Sequence, residues 1–183
     1  MLEYLQDEGL TVVAILNTHG HTDHIAGNRV IKKMFPHAPI IIGSNEADLL
    51  LDPIANLSSV FGQAIISPLA DLLVNDGERL ELAGFVFKVR EIPGHSPGSV
   101  VYIACEEAPP IVLGGDVLFA GSIGRFDFPG GDGSLLVEGI RSKLFDLPDE
   151  TRLFPGHGPS TTIGIEREQN PFVRQPRVNR GDS

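Results

Sequence analysis

The stretch Thr18-His19-Gly20-His21-Thr22-Asp23-His24 sets three imidazoles and a carboxylate within six residues. Imidazole nitrogen and carboxylate oxygen are the donors that suit zinc, iron or manganese. Crowding imidazoles together is costly unless a cation sits between them. The cluster follows the apolar run Thr11-Val12-Val13-Ala14-Ile15-Leu16. A strand ending there in a tight turn would project these side chains from one short loop into one cleft. Two more histidines stand in similar settings: His95 in Pro93-Gly94-His95-Ser96-Pro97-Gly98, and His157 in Pro155-Gly156-His157-Gly158-Pro159. Flanking glycine and proline give a fixed, sharply bent backbone, which suits a side chain that must be aimed. Asp116 follows Leu113-Gly114-Gly115 at another strand end, where by itself it would read as a turn cap. Every histidine except His37 thus lies at a strand-to-loop junction, and His37, between Pro36 and Ala38, reads as a surface residue. The candidate ligands are His19, His21, Asp23, His24, His95, Asp116 and His157. They are too many for one tetrahedral ion and suit two ions that share a bridging carboxylate.

The elements that would position them follow from apolar periodicity. Leu2 to Glu8 reads as a helix end stopped by Gly9, and Thr11 to Leu16 as a buried strand without polar alternation. Ala26 to Phe35 has Val30, Ile31 and Met34 at helical spacing, and Pro36 ends it. Pro39 to Ile42 reads as a second buried strand, then Asn45 to Leu51 as a helix with Ser44 as its N-cap. Residues 52 to 76 read as a helix-and-loop insertion near the cleft. Arg79 to Leu82 and Phe85 to Glu91, joined at Ala83-Gly84, read as a hairpin. Val100 to Ala104, Ile111 to Leu113 and Thr151 to Phe154 supply further strands, the last closing the sheet. Leu135 to Phe145 and Gly164 to Asn170 supply helices, and the glycine-rich stretch from Ala120 to Gly133 a loop. The tail 171–183 is polar and basic and is expected to fray. Strands mixed with helices, including a hairpin, favour a layered α/β domain with mixed sheets.

Composition narrows the class. At 183 residues the chain has enough length to bury a core, and 42% hydrophobic with 21% charged residues is ordinary for a globular protein. A net charge of -10 argues against nucleic acid as a partner. The single cysteine, Cys105, sits in the strand-like run that starts at Ser99, so a buried, inert thiol is expected, suited to a reducing compartment. No apolar run approaches the roughly 20 residues that span a bilayer. The acidic first residues are unlike a signal peptide. The expectation is a soluble cytoplasmic protein with a small-molecule substrate.

The order His-x-His-x-Asp-His, then a lone His, a lone Asp and a final His resembles the metallo-β-lactamase superfamily. Within it, Gly115-Asp116-Val117-Leu118-Phe119, Gly121-Ser122-Ile123-Gly124-Arg125 and Phe154-Pro155-Gly156-His157-Gly158-Pro159 resemble the glyoxalase II-like hydrolases, in their short bacterial form without the helical C-terminal domain. The resemblance covers nearly the whole chain and implies an αββα sandwich over residues 1–170 with the site at one edge. It also implies a division of ligands: His19, His21 and His95 on one ion, Asp23, His24 and His157 on the other, Asp116 bridging. Family members begin with several strands before the helix that starts here at Met1. The first sheet is therefore expected to lack its N-terminal strands, leaving apolar surface and an unpaired edge. Glutathione contacts of the classical C-terminal domain are expected to be absent. Arg125 matches a basic position of the classical enzymes and is a candidate to grip a substrate carboxylate. Asp127 and Pro159 stand where those enzymes have tyrosines, which weakens the case for glutathione specificity.

What the resemblance implies is a binuclear metal site, zinc first with iron or manganese as alternatives, that generates hydroxide and cleaves an acyl thioester of the hydroxyacylglutathione type. Asp23 is the candidate to orient the attacking water or accept its proton. Two other readings stand beside this one: an iron-dependent persulfide dioxygenase, and a truncated metal-binding chain without activity.

Overall fold

The computed structural model of the protein describes residues 2–174; Met1 and positions 175–183, most of the expected polar tail, lie outside the described residues. A short helix, Leu2–Asp7 (α1), precedes strand Ile15–Leu16 (β1), and the histidine turn runs directly into Thr22–Ile25 (α2) and Asn28–Met34 (α3). Ile40–Gly43 (β2), the 3-10 helices Ser44–Leu50 and Ser58–Phe61, and Leu72–Val74 (β3) follow. Next come Arg79–Leu82 (β4), Phe85–Glu91 (β5), Val100–Ala104 (β6), Ile111–Gly115 (β7) and a small hairpin, Leu118–Phe119 (β8) with Ser122–Ile123 (β9). Gly133–Lys143 (α4), Arg152–Pro155 (β10), Thr161–Thr162 (β11) and Ile163–Gln169 (α5) complete the described fold.

A strand covered on both faces needs apolar side chains at every position. All five residues of β6 are buried, and they divide between two cores. Val101 and Ile103 face Leu136, Ile140 and Leu144 of the α4 region. Val100, Tyr102 and Ala104 face Ile41 of β2 and Val74 of β3. On the far side of β2, Ile42 meets Ile25 and Leu50. The layers are therefore helix, sheet, sheet, helix: the αββα sandwich. One sheet has the order β1-β2-β3, all parallel, and the other β11-β10-β7-β6-β5-β4. In the larger sheet only β7 and β10 run parallel. Asp132 caps α4 by accepting from the Ser134 and Leu135 amides at 2.8 and 3.1 Å, which starts the helix ahead of the expected Leu135. Ala83 and Gly84 both have positive φ, the backbone that suits a two-residue hairpin between β4 and β5. Among the described residues no helix is long and apolar enough to cross a membrane.

Several local expectations give way. The run Thr11 to Leu16 is a strand only at Ile15–Leu16, and Val13 is exposed. As the end strand of its sheet, β1 has a hydrogen-bonding neighbour on one side only, β2. The helix expected from Ala26 starts at Thr22, inside the histidine motif, and breaks before Asn28; of its apolar residues Ile31 is buried while Val30 and Met34 are exposed. Ser44 does not cap a helix: its hydroxyl donates to Asn75 Oδ1 at 2.7 Å, and the segment it opens is 3-10. Strand β3 lies inside the segment read as helix and loop, too short to carry a period but paired with β2. Thr151 to Phe154 is not the last strand, because β11 returns beside β10. Cys105 is exposed, not buried, because it lies just past the end of β6 in the turn to β7. Replacing Ile103, which fills the core under α4, with alanine is expected to cost about 2–5 kcal/mol of unfolding free energy in a urea titration. The exposed Val30→Ala should stay within about 0.5 kcal/mol.

Candidate metal centre

Four loops deliver the seven candidate residues to one place. The turn after β1 carries His19 and His21, and α2 carries Asp23 and His24 on its first turn. His95 comes from the β5–β6 loop, Asp116 follows β7, and His157 follows β10. Two glycines show how tightly these loops are set. Gly94 has φ +126, and a Cβ there would fall 2.3 Å from the Asp132 carbonyl oxygen. A Cβ on Gly156 would lie 2.3 Å from Asp116 Oδ1 and 2.6 Å from His24 Cε1. Neither position has room for a side chain.

His19, His21 and His95 form a buried group. His95 Nδ1 lies 2.7 Å from the Arg125 carbonyl, to which it donates, leaving its Nε2 as a bare acceptor. That one lone pair faces both His21 Nδ1 at 2.9 Å and His19 Nε2 at 3.2 Å. Burial first, then the neighbouring imidazoles, hold His19 well below the usual histidine range. Burial and His95 push His21 down to about 4, despite the opposing pull of Asp23 and Asp116. Burial lowers His95 as well. Three neutral rings with converging nitrogens present the donor set of a cation site.

Asp23, His24 and His157 form a second, more open group. Asp23 Oδ2 lies 3.0 Å from His157 Nε2 and 3.6 Å from His24 Nε2. Asp116 stands between the groups. Its Oδ1 is 3.3 Å from His24 Nε2, and its Oδ2 is 3.6 Å from His157 Nε2 and 3.7 Å from His95 Nε2. Burial opposes charge on both His24 and Asp116, but their mutual contact and the surrounding opposite charges outweigh it. His24 is raised and Asp116 lowered. His24 Nε2 and Asp116 Oδ1 are nonetheless buried without a partner in hydrogen-bond geometry. Orphaned buried polar atoms call for an explanation, and a divalent cation satisfies both at once. His19, His24 and Asp116 also lie close enough to hold an ion together, so the donor groups are continuous.

The walls are apolar. Phe128 sets its ring edge-on to His21 and His95, with centroids 5.6 and 6.3 Å away, and Phe119 lies 6.5 Å from His157. Arg125 is exposed, stacked 4.5 Å over Phe128 and ion-paired with Asp127 through both carboxylate oxygens. His37 is exposed and away from the cluster.

Three buried polar residues that support the site were not read from the sequence. Asn17 donates to the His24 carbonyl at 3.2 Å and pairs its amide with Asn28, which donates to Ser67 Oγ at 3.0 Å. Glu46, fully buried, accepts from the Gly20 and Gly98 amides. Asn28 and Glu46 lie among other polar residues, so the sequence carries no local signal for their burial, which only folding decides.

The chain matches the family described as metallo-beta-lactamase superfamily over residues 1–157. It is 39% identical over 176 residues to the hydroxyacylglutathione hydrolase GloC of Haemophilus influenzae, covering 94% of this chain and 81% of that protein. Among solved structures, the BLEG-1 B3 metallo-beta-lactamase superposes with a TM-score of 0.89 at 42% identity, covering 95% of this chain and 83% of that one. TTHA1623 in a di-iron-bound form gives 0.82 at 37% identity, covering 94% and 83%.

Gly156→Ala is expected to displace Asp116 and His24 and to weaken metal binding by about 10–100-fold, read by titration of the metal-free protein. Asp116→Ala should lower bound metal across both groups, seen as metal per chain after dialysis.

Proposed function

Because this chain belongs to the metallo-beta-lactamase superfamily, we propose that it is a metal-dependent hydrolase that cleaves an acyl thioester of the hydroxyacylglutathione type. The observation that carries the reading is the pair of donor groups joined at Asp116. His19, His21 and His95 would hold one divalent cation, Asp23, His24 and His157 a second, and Asp116 would span both, with zinc the first candidate. When bound, such a pair supplies Lewis-acid polarisation of a carbonyl and acidifies water toward neutrality.

The chain's own residues do the remaining work. Burial keeps His19 and His21 unprotonated, so their lone pairs are free for a cation at neutral pH. Asp23 is half exposed at the mouth of the cleft, where its carboxylate can orient an incoming water and take its proton. Phe128 packs against the buried rings of His21 and His95, where the absence of solvent strengthens the electrostatics. Arg125 is held against this wall by Phe128, and it would receive a substrate carboxylate by exchanging it for Asp127. Support for a thioester over other substrates comes from the 39% identity to a hydroxyacylglutathione hydrolase.

The test is an assay of the purified protein on S-lactoylglutathione, on a chromogenic β-lactam, and on glutathione persulfide with an oxygen electrode. The expected result is thioester hydrolysis, abolished by chelation and restored by zinc. Oxygen uptake with the persulfide, with iron bound and no thioesterase activity, would establish the dioxygenase reading in its place. Asp23→Ala is expected to lower kcat/KM by at least about 100-fold, in line with the loss of a positioned proton acceptor.

A further inference from the structure

The three imidazoles of the buried group come from two loops that are far apart in sequence and that meet at the ring nitrogens of His19, His21 and His95, with a Val100 N–H donating to the Thr18 carbonyl at 2.8 Å beside them. Both loops lean on the 3-10 helix Ser44–Leu50. A Cβ on Gly20 would fall 2.4 Å from Leu49 Cβ, and a Cβ on Gly98 2.4 Å from Asn45 Cβ, so each loop reaches that helix at a residue with no side chain. Glu46 sits between these two points, with no exposed surface. Its Oε2 accepts from the Gly20 amide at 2.8 Å, between His19 and His21, and its Oε1 accepts from the Gly98 amide at 2.6 Å, three residues after His95. The carboxylate also engages the Ser96 hydroxyl, next to His95. It reaches none of the candidate ligand atoms.

Burying a carboxylate is costly unless its oxygens are hydrogen-bonded. Here the bonds go to one backbone amide from each ligand-bearing loop. We propose that Glu46 is a positioning residue that sets the spacing between the His19–His21 turn and the His95 loop, and so tunes the first metal group without touching the metal. Glutamine cannot replace it: one amide oxygen can accept from one loop, but the amide nitrogen then faces the other backbone N–H donor to donor. The second group shares the histidine turn through Asp23 and His24 but takes His157 from a loop that Glu46 does not hold, so a change at Glu46 should fall mainly on the first group.

This inference rests on the two-ion reading above, and its test separates the two. Metal-free wild type, E46Q and E46D are titrated with zinc against a chromophoric chelator, and with cobalt(II) while its visible absorption is recorded. E166Q is the control. Glu166 is equally buried and accepts from Gly121 N at 2.8 Å, Thr161 Oγ1 at 2.6 Å and Asn170 Nδ2 at 2.8 Å, none of them on a ligand loop of the first group. The expected result is two ions in wild type, with one of the two affinities lowered about 10–100-fold in E46Q and E46D. The cobalt spectrum of that site should shift, while E166Q lowers the melting temperature and leaves both affinities in place. Wild-type affinity and spectrum in E46Q overturn the proposal, as does equal weakening of both sites. If E46Q and E46D fail to fold while E166Q folds, the role is structural and the proposal fails. If wild type does not bind two ions, the two-ion reading falls and takes this inference with it.

Discussion

His95 Nε2 has one lone pair and stands within 3.2 Å of two other ring nitrogens. An arrangement of this kind is tolerable in two conditions: the rings must be uncharged, and something positive must be able to enter among them. Much of the architecture serves the first condition. Burial under α2, the 3-10 helix and the β5–β6 loop removes the water that would stabilise imidazolium, and His19 and His21 stay neutral. Asp116 serves the second, with a carboxylate that reaches toward both donor groups and keeps its charge despite partial burial.

Holding repulsive groups together requires a scaffold that does not relax. Strands β7 and β10 run side by side and end together, which sets Asp116 beside the loop of His157. Gly156 allows that loop to touch the Asp116 carboxylate directly. Across the sandwich, Tyr102 is buried between the sheets and its hydroxyl donates to the Asn17 carbonyl at 2.9 Å, just ahead of the histidine turn. Asn17 then holds the His24 carbonyl, and Glu46 holds the Gly20 and Gly98 amides. The candidate ligand atoms are thus fixed by neighbours that are themselves fixed, the arrangement that precise sites require.

Legibility followed the range of the physical cause. Runs such as Val100–Ala104 and Ile40–Ile42 are buried on both faces and declare themselves by composition alone. The β4–β5 hairpin was readable because Ala83-Gly84 is a local turn. By contrast, Leu72–Val74 becomes a strand only because β2 offers an edge, and Thr11–Ala14 fails to be one because β2 begins at Ile40, opposite Ile15, and offers no partner before it. Cys105 is the first residue past β6, and one step beyond a fully buried strand is enough to put a side chain on the surface. Asn17, Asn28 and Glu46 are polar residues of ordinary appearance, and nothing local distinguishes a buried amide or carboxylate from a solvated one.

The sequence by itself determined the donor chemistry of this protein. Residue type, short spacing and glycine-proline settings single out His19, His21, Asp23, His24, His95, Asp116 and His157, because ligand identity and loop geometry are local properties. Tertiary structure alone decided which of those donors face one another, that Asp116 stands between the two groups, that Arg125 is already engaged by Asp127, and that Glu46 joins the loops of Gly20 and Gly98, which lie 26 and 52 residues from it along the chain. Those are statements about distance between segments, and only the packing of the two sheets and their helices sets such distances.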